Sequence, residues 1–186
     1  VALSDRDSEQ STVSRGSSIL RVGQVPNPKV RWLFEYWDGQ RNERRLMPRQ
    51  SFDPVHLGGM LSNVLFVERH FAPPDLRIRV AGQEVEDRYG RSMRGMSIYE
   101  TFPIVKRKDT SHQWAEILAD GQPKYRRGPM LFPNDRAFEA ERLLLPLSDG
   151  RLDGREEVAY ILGLIFYAPL LAENLTLTAV SATLIG

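Results

Sequence analysis

The sequence predicts an α+β fold, and three observations predict it. A capped amphipathic helix opens at Asn27-Pro28. Two strand-like runs follow from Ser62. A block of helix formers then separates them from three further strand-like runs that end near Tyr167. Helices gathered in one block between antiparallel strands argue α+β, because a doubly wound α/β sheet alternates the two. No internal repeat competes with that reading.

Residues 1–26 are rich in Ser, Arg, Asp and Gln without a sustained period, and are expected to form a flexible N-terminal tail. Val1 to Gln10 is polar and shows no apolar signal-peptide core. Asn27 is a good N-cap, and Pro28 suits the first helical position, where its missing N–H costs nothing. Val30, Leu33, Phe34 and Trp37 then recur at helical spacing and form one apolar stripe, with Gly39 as the expected stop. Trp32 and Tyr36 lie one turn apart on the opposite side, so this helix carries nonpolar groups on two faces, whereas resting on one surface needs one.

A basic segment follows with Arg41, Arg44, Arg45 and Arg49, and Asp53-Pro54 opens a short helical turn towards Leu57. Ser62 to His70 reads as a strand on its run Val64-Leu65-Phe66-Val67. Pro73-Pro74-Asp75 marks a turn. Leu76, Ile78 and Val80 then alternate with Arg77, Arg79 and Ala81, the pattern of a strand with one wetter face at a sheet edge. Gln83 to Tyr89 predicts a short helix closed by Gly90, and Ile98 to Thr101 a second helical turn. Ile104 to Asp120 predicts a longer helix with Trp114, Ile117 and Leu118 inward, ended by Gly121 and Pro123.

The last third predicts strands over Tyr125–Phe132, Phe138–Leu147 and Val158–Tyr167. The third is apolar on both faces, so it belongs inside a sheet that is covered on both sides. Leu175 to Ile185 fits either a further strand or an ordered tail.

Several local runs resemble a family of bacterial single-domain PAS proteins of largely unknown function. They are Tyr36-Trp37; Leu46-Met47-Pro48-Arg49 followed by Phe52-Asp53-Pro54; Ile78-Arg79-Val80-Ala81-Gly82 leading to Arg88-Tyr89-Gly90 and Gly95; and Glu141-Arg142-Leu143-Leu144-Leu145-Pro146-Leu147-Ser148. They extend from about residue 30 to about residue 167. The resemblance implies a PAS-like five-stranded antiparallel sheet of spatial order 2-1-5-4-3. Helices would lie on one face and the N-terminal helix on the other. The domain would span 27–170, followed by a C-terminal extension at 171–186. It also implies sensing or scaffolding through a ligand or a partner, and it supplies no catalytic residues.

Composition narrows the chemistry. The 186 residues leave room for one domain with a sizeable core. The net charge of +1, from 25 basic and 24 acidic residues, speaks against nucleic acid or an anionic membrane as a partner. The absence of cysteine removes thiol nucleophiles, Cys-based zinc sites and cysteine-dependent chromophores, and fits a cytoplasmic protein. The most apolar stretch, Val158 to Ala172, is broken by Gly163 and Pro169 and is too short for a bilayer span.

No GxSxG elbow, HExxH, P-loop or dinucleotide fingerprint occurs, so the chain reads as non-catalytic. His56, His70 and His112 share no metal-ligand spacing. Haem through His112 is disfavoured, and non-covalent flavin has no supporting residues. Arg41 and Arg45 match half of a cyclic-dinucleotide motif whose second half is missing. Asp149-Gly150-Arg151-Leu152-Asp153-Gly154 resembles the start of a calcium loop without its later Glu, so a turn is expected.

Two candidate sites follow. Arg79, Val85, Tyr89, Ile98, Phe102 and Leu118 are expected to line a small-molecule cavity between helices and sheet, or else simply to fill the core. Trp32 and Tyr36 are expected at a homodimer interface built on the first helix and the outer sheet face, or else to pack on their own chain. The function expected is a PAS-type sensory or signalling domain that binds a small molecule or a signalling protein. The alternative is a dimerisation or scaffold module with a filled core.

Overall fold

The computed structural model describes residues 18–101, 107–132, 136–151, 156–170 and 180–186. Strand β1 (Ser18–Arg21) leads through a 3-10 turn at Val22–Gln24 into α1 (Pro28–Gln40). A two-residue strand, β2 (Met47–Pro48), and a kinked 3-10 segment at Pro54–Asn63 precede the hairpin of β3 (Val64–Phe71) and β4 (Pro74–Ala81). Helix α2 (Gln83–Tyr89), a 3-10 turn at Ile98–Glu100 and α3 (Arg107–Asp120) form the helical block. Strands β5 (Lys124–Leu131), β6 (Ala137–Ser148), β7 (Tyr160–Pro169) and β8 (Val180–Ile185) complete the sheet.

The local chemistry read from the sequence is used as expected at the helix ends. The Asn27 side chain accepts from the Lys29 amide at 3.0 Å and caps α1, with Pro28 in its first turn. Gly90 closes α2 at φ 69°, a left-handed conformation that costs glycine little. Helix α1 runs one residue past Gly39, the expected stop, and Arg41 takes the cap position.

Sheet order is β1-β8-β5-β6-β7-β3-β4, with β2 pairing alongside β6. The five strands β3 to β7, numbered among themselves, stand in the expected order 2-1-5-4-3, with the arginine-bearing β4 at an edge and β7 between β6 and β3. The five-stranded, wholly antiparallel expectation is corrected to an eight-stranded mixed sheet. Strand β8 adds antiparallel to β5, β1 adds parallel to β8, and Met47–Pro48 pairs parallel with Leu147–Ser148. An edge strand leaves its backbone donors and acceptors open, and each added strand satisfies that row.

Residues 18–26 therefore depart from the flexible tail expected for 1–26. Strand β1 finds its partner in β8, and Val25 is fully buried against α1. Residues 1–17 lie outside the described residues. In the C-terminal extension, the open choice between strand and ordered tail falls to strand for Val180–Ile185.

Strand alternation splits the apolar residues into two cores. On the outer face, Val30, Leu33, Phe34 and Trp37 of α1 pack on Leu143, Leu145, Leu147, Leu162 and Leu164. Each such fully buried side chain contributes about 1.5–3 kcal/mol. On the inner face, Leu65, Val67, Leu76, Ile78, Leu144, Ile161 and Ile165 meet Val85, Ile98, Trp114 and Ile117 of the helical block. Gly82, between β4 and α2, makes the turn possible. A Cβ there would sit 2.4 Å from the Leu61 and Ser62 carbonyl oxygens.

Candidate functional site: a lined chamber on the inner face

The helical block roofs the inner face of β3, β5, β6 and β7. Leu65, Val85, Tyr89, Met93, Ile98, Trp114, Met130, Arg142, Leu144 and Ile165 enclose a small chamber there. Its free volume is about 10 Å³, room for roughly one water. Helix α2 supplies Val85 and Tyr89, whose four-residue spacing puts both on one helix face. Ile98 comes from the 3-10 turn that Ser97 caps by accepting from the Tyr99 amide.

Arg142 is the one charged residue in this lining. It sits on β6 between Ala140 and Leu144, at the inward phase of the strand. Among the described residues no carboxylate pairs with it, in contrast to Arg88, which reaches Glu84 at 3.4 Å. Burial pulls the Arg142 guanidinium down to about 10, and the neighbouring Arg126 charge adds to this. The group therefore keeps its charge at neutral pH while poorly solvated.

Two phenols stand near this cation. Burial pushes Tyr89 up to about 12, with Arg142 and Thr101 acting against the shift. Tyr167 is raised by burial and by Tyr89, and its buried hydroxyl has no hydrogen-bond partner among the described residues. Phe132 joins the two rings edge-on, at 4.9 Å from Tyr89 and 5.7 Å from Tyr167. Both tyrosines stay neutral and can donate. The chamber lining thus holds one cation with no carboxylate partner among the described residues and one phenol, Tyr89, in an apolar setting, while Tyr167 lines the neighbouring recess.

Of the expected ligand-binding residues, Val85, Tyr89 and Ile98 are brought together in this lining. Leu118 packs against the same core without lining the chamber. Phe102 lies outside the described residues. Arg79 is a correction. The register shifts between Phe66 and Val67, so Arg79 falls at an irregularity of the ladder, with its side chain exposed and paired to Glu68 at 3.1 Å. The chamber's cation comes from β6, and the signal that would have found it is a charged residue at an inward position of an apolar strand.

The other expected surface lies on α1. Trp32 is 38% exposed and stacks on Tyr36, with ring centroids 5.5 Å apart. Tyr36 is held by its own chain. Its hydroxyl donates to the Ser51 carbonyl at 3.3 Å and accepts from the Asp53 amide at 3.2 Å, and its ring packs on His56.

The remaining candidates are occupied elsewhere. His112 is exposed and faces Glu116 at 3.3 Å. Arg41 holds Asp38, and Arg45 donates to backbone carbonyls of Glu156 and Asp120. Among the described residues no cluster of three His, Cys, Asp or Glu could hold a metal, and no helix is long and apolar enough to cross a membrane. A second recess, open and about 410 Å³, lies between Asn27 and the β5–β7 strands. Of its carboxylates, Glu141 accepts from the Tyr125 hydroxyl at 2.9 Å, and Glu139 accepts from Arg127 at 2.8 Å through one oxygen while its buried Oε2 has no hydrogen-bond partner among the described residues. It is the larger space, and its lining carries two carboxylates against one arginine, the opposite sign of charge to the inner chamber.

A family model described as PAS domain matches residues 25–166. Among similar solved structures is a LOV protein of Rhodobacter sphaeroides, at 16% identity and TM-score 0.46, covering 59% of this chain and 61% of that one. Another is the PAS domain of a protein from Colwellia psychrerythraea, at 11% identity and TM-score 0.45, covering 62% and 98%. A third is VqmA bound to DPO, at 11% identity and TM-score 0.45, covering 63% and 58%. This chain thus spans less than two thirds of the length of the LOV protein. No curated protein matches the sequence.

Proposed function

The chain belongs to the PAS domain family, a family of sensory and signalling modules, and we propose that it senses a small molecule held between its helical block and the inner face of its sheet. One observation carries this reading. Arg142, partly buried, lines an apolar chamber with no carboxylate to pair with it among the described residues. An arginine turned towards an apolar lining without a carboxylate partner keeps part of its desolvation cost uncompensated. A ligand that completes the site removes that penalty.

The reading is non-catalytic. Arg142, Tyr89 and Tyr167 can bind and orient, and among the described residues they meet no nucleophile paired with a base. Output then passes to a protein partner or a second copy. Trp32 is the natural anchor of a homodimer, with its indole face exposed on the helix that covers the outer sheet. We place this activity in the cytoplasm, in keeping with a cysteine-free chain.

A second reading has its own support. Free volume for about one water favours a filled core and a pure interaction module. Native mass spectrometry of the purified protein separates the two. A retained small molecule, lost in a folded Val85→Trp variant, supports the sensor. A bare polypeptide mass, with Val85→Trp poorly folded from overpacking, supports the filled core.

A further inference from the structure

We infer that the ligand of the inner chamber is a small carboxylate with a short apolar tail, its oxygens held by the Arg142 guanidinium and a tyrosine hydroxyl. This rests on the ligand-sensing reading above and names the chemistry of that same site. The geometry argues it in three steps.

First, the lining carries a single sign of charge. Arg142 is its charged member, and the residue directly opposite on β5 is Arg126, another cation. Arg88 also approaches, with its guanidinium 5.6 Å from the Tyr167 ring, although Glu84 already holds it. Arg126 and Arg88 make interactions of their own, so the charge left for a guest to meet is that of Arg142. A planar guanidinium presents paired N–H donors that match the two oxygens of a carboxylate.

Second, a further donor is in place. Tyr89 belongs to the chamber lining, and Tyr167, whose buried hydroxyl has no hydrogen-bond partner among the described residues, lines the neighbouring open recess. Both are held in the protonated form, so each can give a hydrogen bond to an anion. A guanidinium with no carboxylate partner among the described residues, beside a neutral phenol in the same lining, is a donor set that an anionic acceptor would complete.

Third, the rest of the wall is apolar and adjustable. Val85, Ile98, Leu144 and Ile165 offer surface to a hydrocarbon tail, and Met93 and Met130 offer unbranched side chains that repack at small cost. The chamber holds about one water, so a guest of several carbons enters by displacing these methionines. That limits the tail to a few carbons and disfavours bulky or rigid ring systems.

The test compares sodium butyrate and sodium hexanoate with butyramide and hexanamide at neutral pH, by isothermal titration and thermal shift. The proteins are the wild type, Arg142→Met and Arg142→Lys. The inference expects the carboxylates to bind wild type at least about tenfold more tightly than their amides. It expects Arg142→Met to lose that preference and Arg142→Lys to keep part of it. Should Arg142→Met not fold, the acid–amide comparison in wild type and the lysine variant decide alone. Amides binding as well as acids, or Arg142→Met retaining the preference, would overturn the carboxylate while leaving a chamber ligand standing. Failure of acids and amides alike, together with no molecule retained by the native protein, would overturn both.

Discussion

Arg126 on β5 and Arg142 on β6 stand directly opposite one another in the antiparallel ladder, two like charges facing across adjacent strands. Cross-strand neighbours of the same sign destabilise a sheet, and burial raises the cost for Arg142. Replacing that arginine with an apolar side chain of similar length should therefore stabilise the ligand-free protein. For Arg142→Met we expect a gain of about 1–3 kcal/mol in urea unfolding. The melting temperature should rise by about 2–4 °C per kcal/mol. A loss of stability would mean that the guanidinium serves the fold.

Four of the six tyrosines have raised pKa values, chiefly through burial: Tyr89, Tyr99, Tyr125 and Tyr167. Spectrophotometric titration of the native protein should show these four ionising late, and Tyr89→Phe should remove one of them. Because Tyr89 is raised from 10.0 to about 12, its contribution to stability is whole below pH 10 and is lost as pH climbs towards 12. Arg142 works against this in the same alkaline window. Its lowered value means that deprotonation in the folded state relieves a penalty. The alkaline unfolding limb should therefore steepen in Arg142→Met, where Tyr89 acts unopposed.

The Trp37 indole donates from Nε1 to the Pro146 carbonyl at 2.8 Å, and both groups are buried. This bond fastens α1 across the outer face of β6. Trp37→Phe keeps most of the ring and leaves that carbonyl without its side-chain donor. We expect a loss of about 1–2 kcal/mol in chemical denaturation. Trp37→Ala should cost about 3–5 kcal/mol. Neither should alter the acid–amide preference, since the two faces have separate cores.

Self-association through α1 is expected to depend on Trp32. Sedimentation equilibrium of wild type should show a dimer, and Trp32→Glu should shift it to monomer without changing the melting behaviour of the monomer. The exposed Val80, on the edge strand β4, is a control position: Val80→Glu should leave the mass unchanged. A monomeric wild type at high concentration would remove the interface.

Much of the architecture is legible in the sequence because local chemistry and global fold agree. Asn27-Pro28 announces α1, its stripe names the residues that pack on the outer sheet face, and the doubly apolar run Val158–Tyr167 marks the interior strand observed at Tyr160–Pro169. Strands β1 and β8 are less legible. Their stability comes from pairing with distant edges, and the short run Ser18–Arg21 carries no period of its own. In the candidate site, Val85, Tyr89 and Ile98 are readable from helix position. Arg79 misleads because alternation with the inward Leu76 and Ile78 already turns it to solvent, and the register shift beside it turns Val80 outward as well. Arg142 is hidden for the converse reason. Its run, Glu141 to Ser148, draws notice as a motif, and its inward phase emerges once β6 is paired with β5 and β7.

The sensor reading is tested most directly by methyl NMR during addition of a low-molecular-weight extract of bacterial cells. The chamber lining carries methyl groups on Val85, Ile98, Leu144 and Ile165, and the outer core carries them on Val30, Leu33 and Leu145. The account predicts saturable shifts at the first set, with the second set still. Inner methyls that stay unmoved, or outer methyls that alone respond, would contradict it.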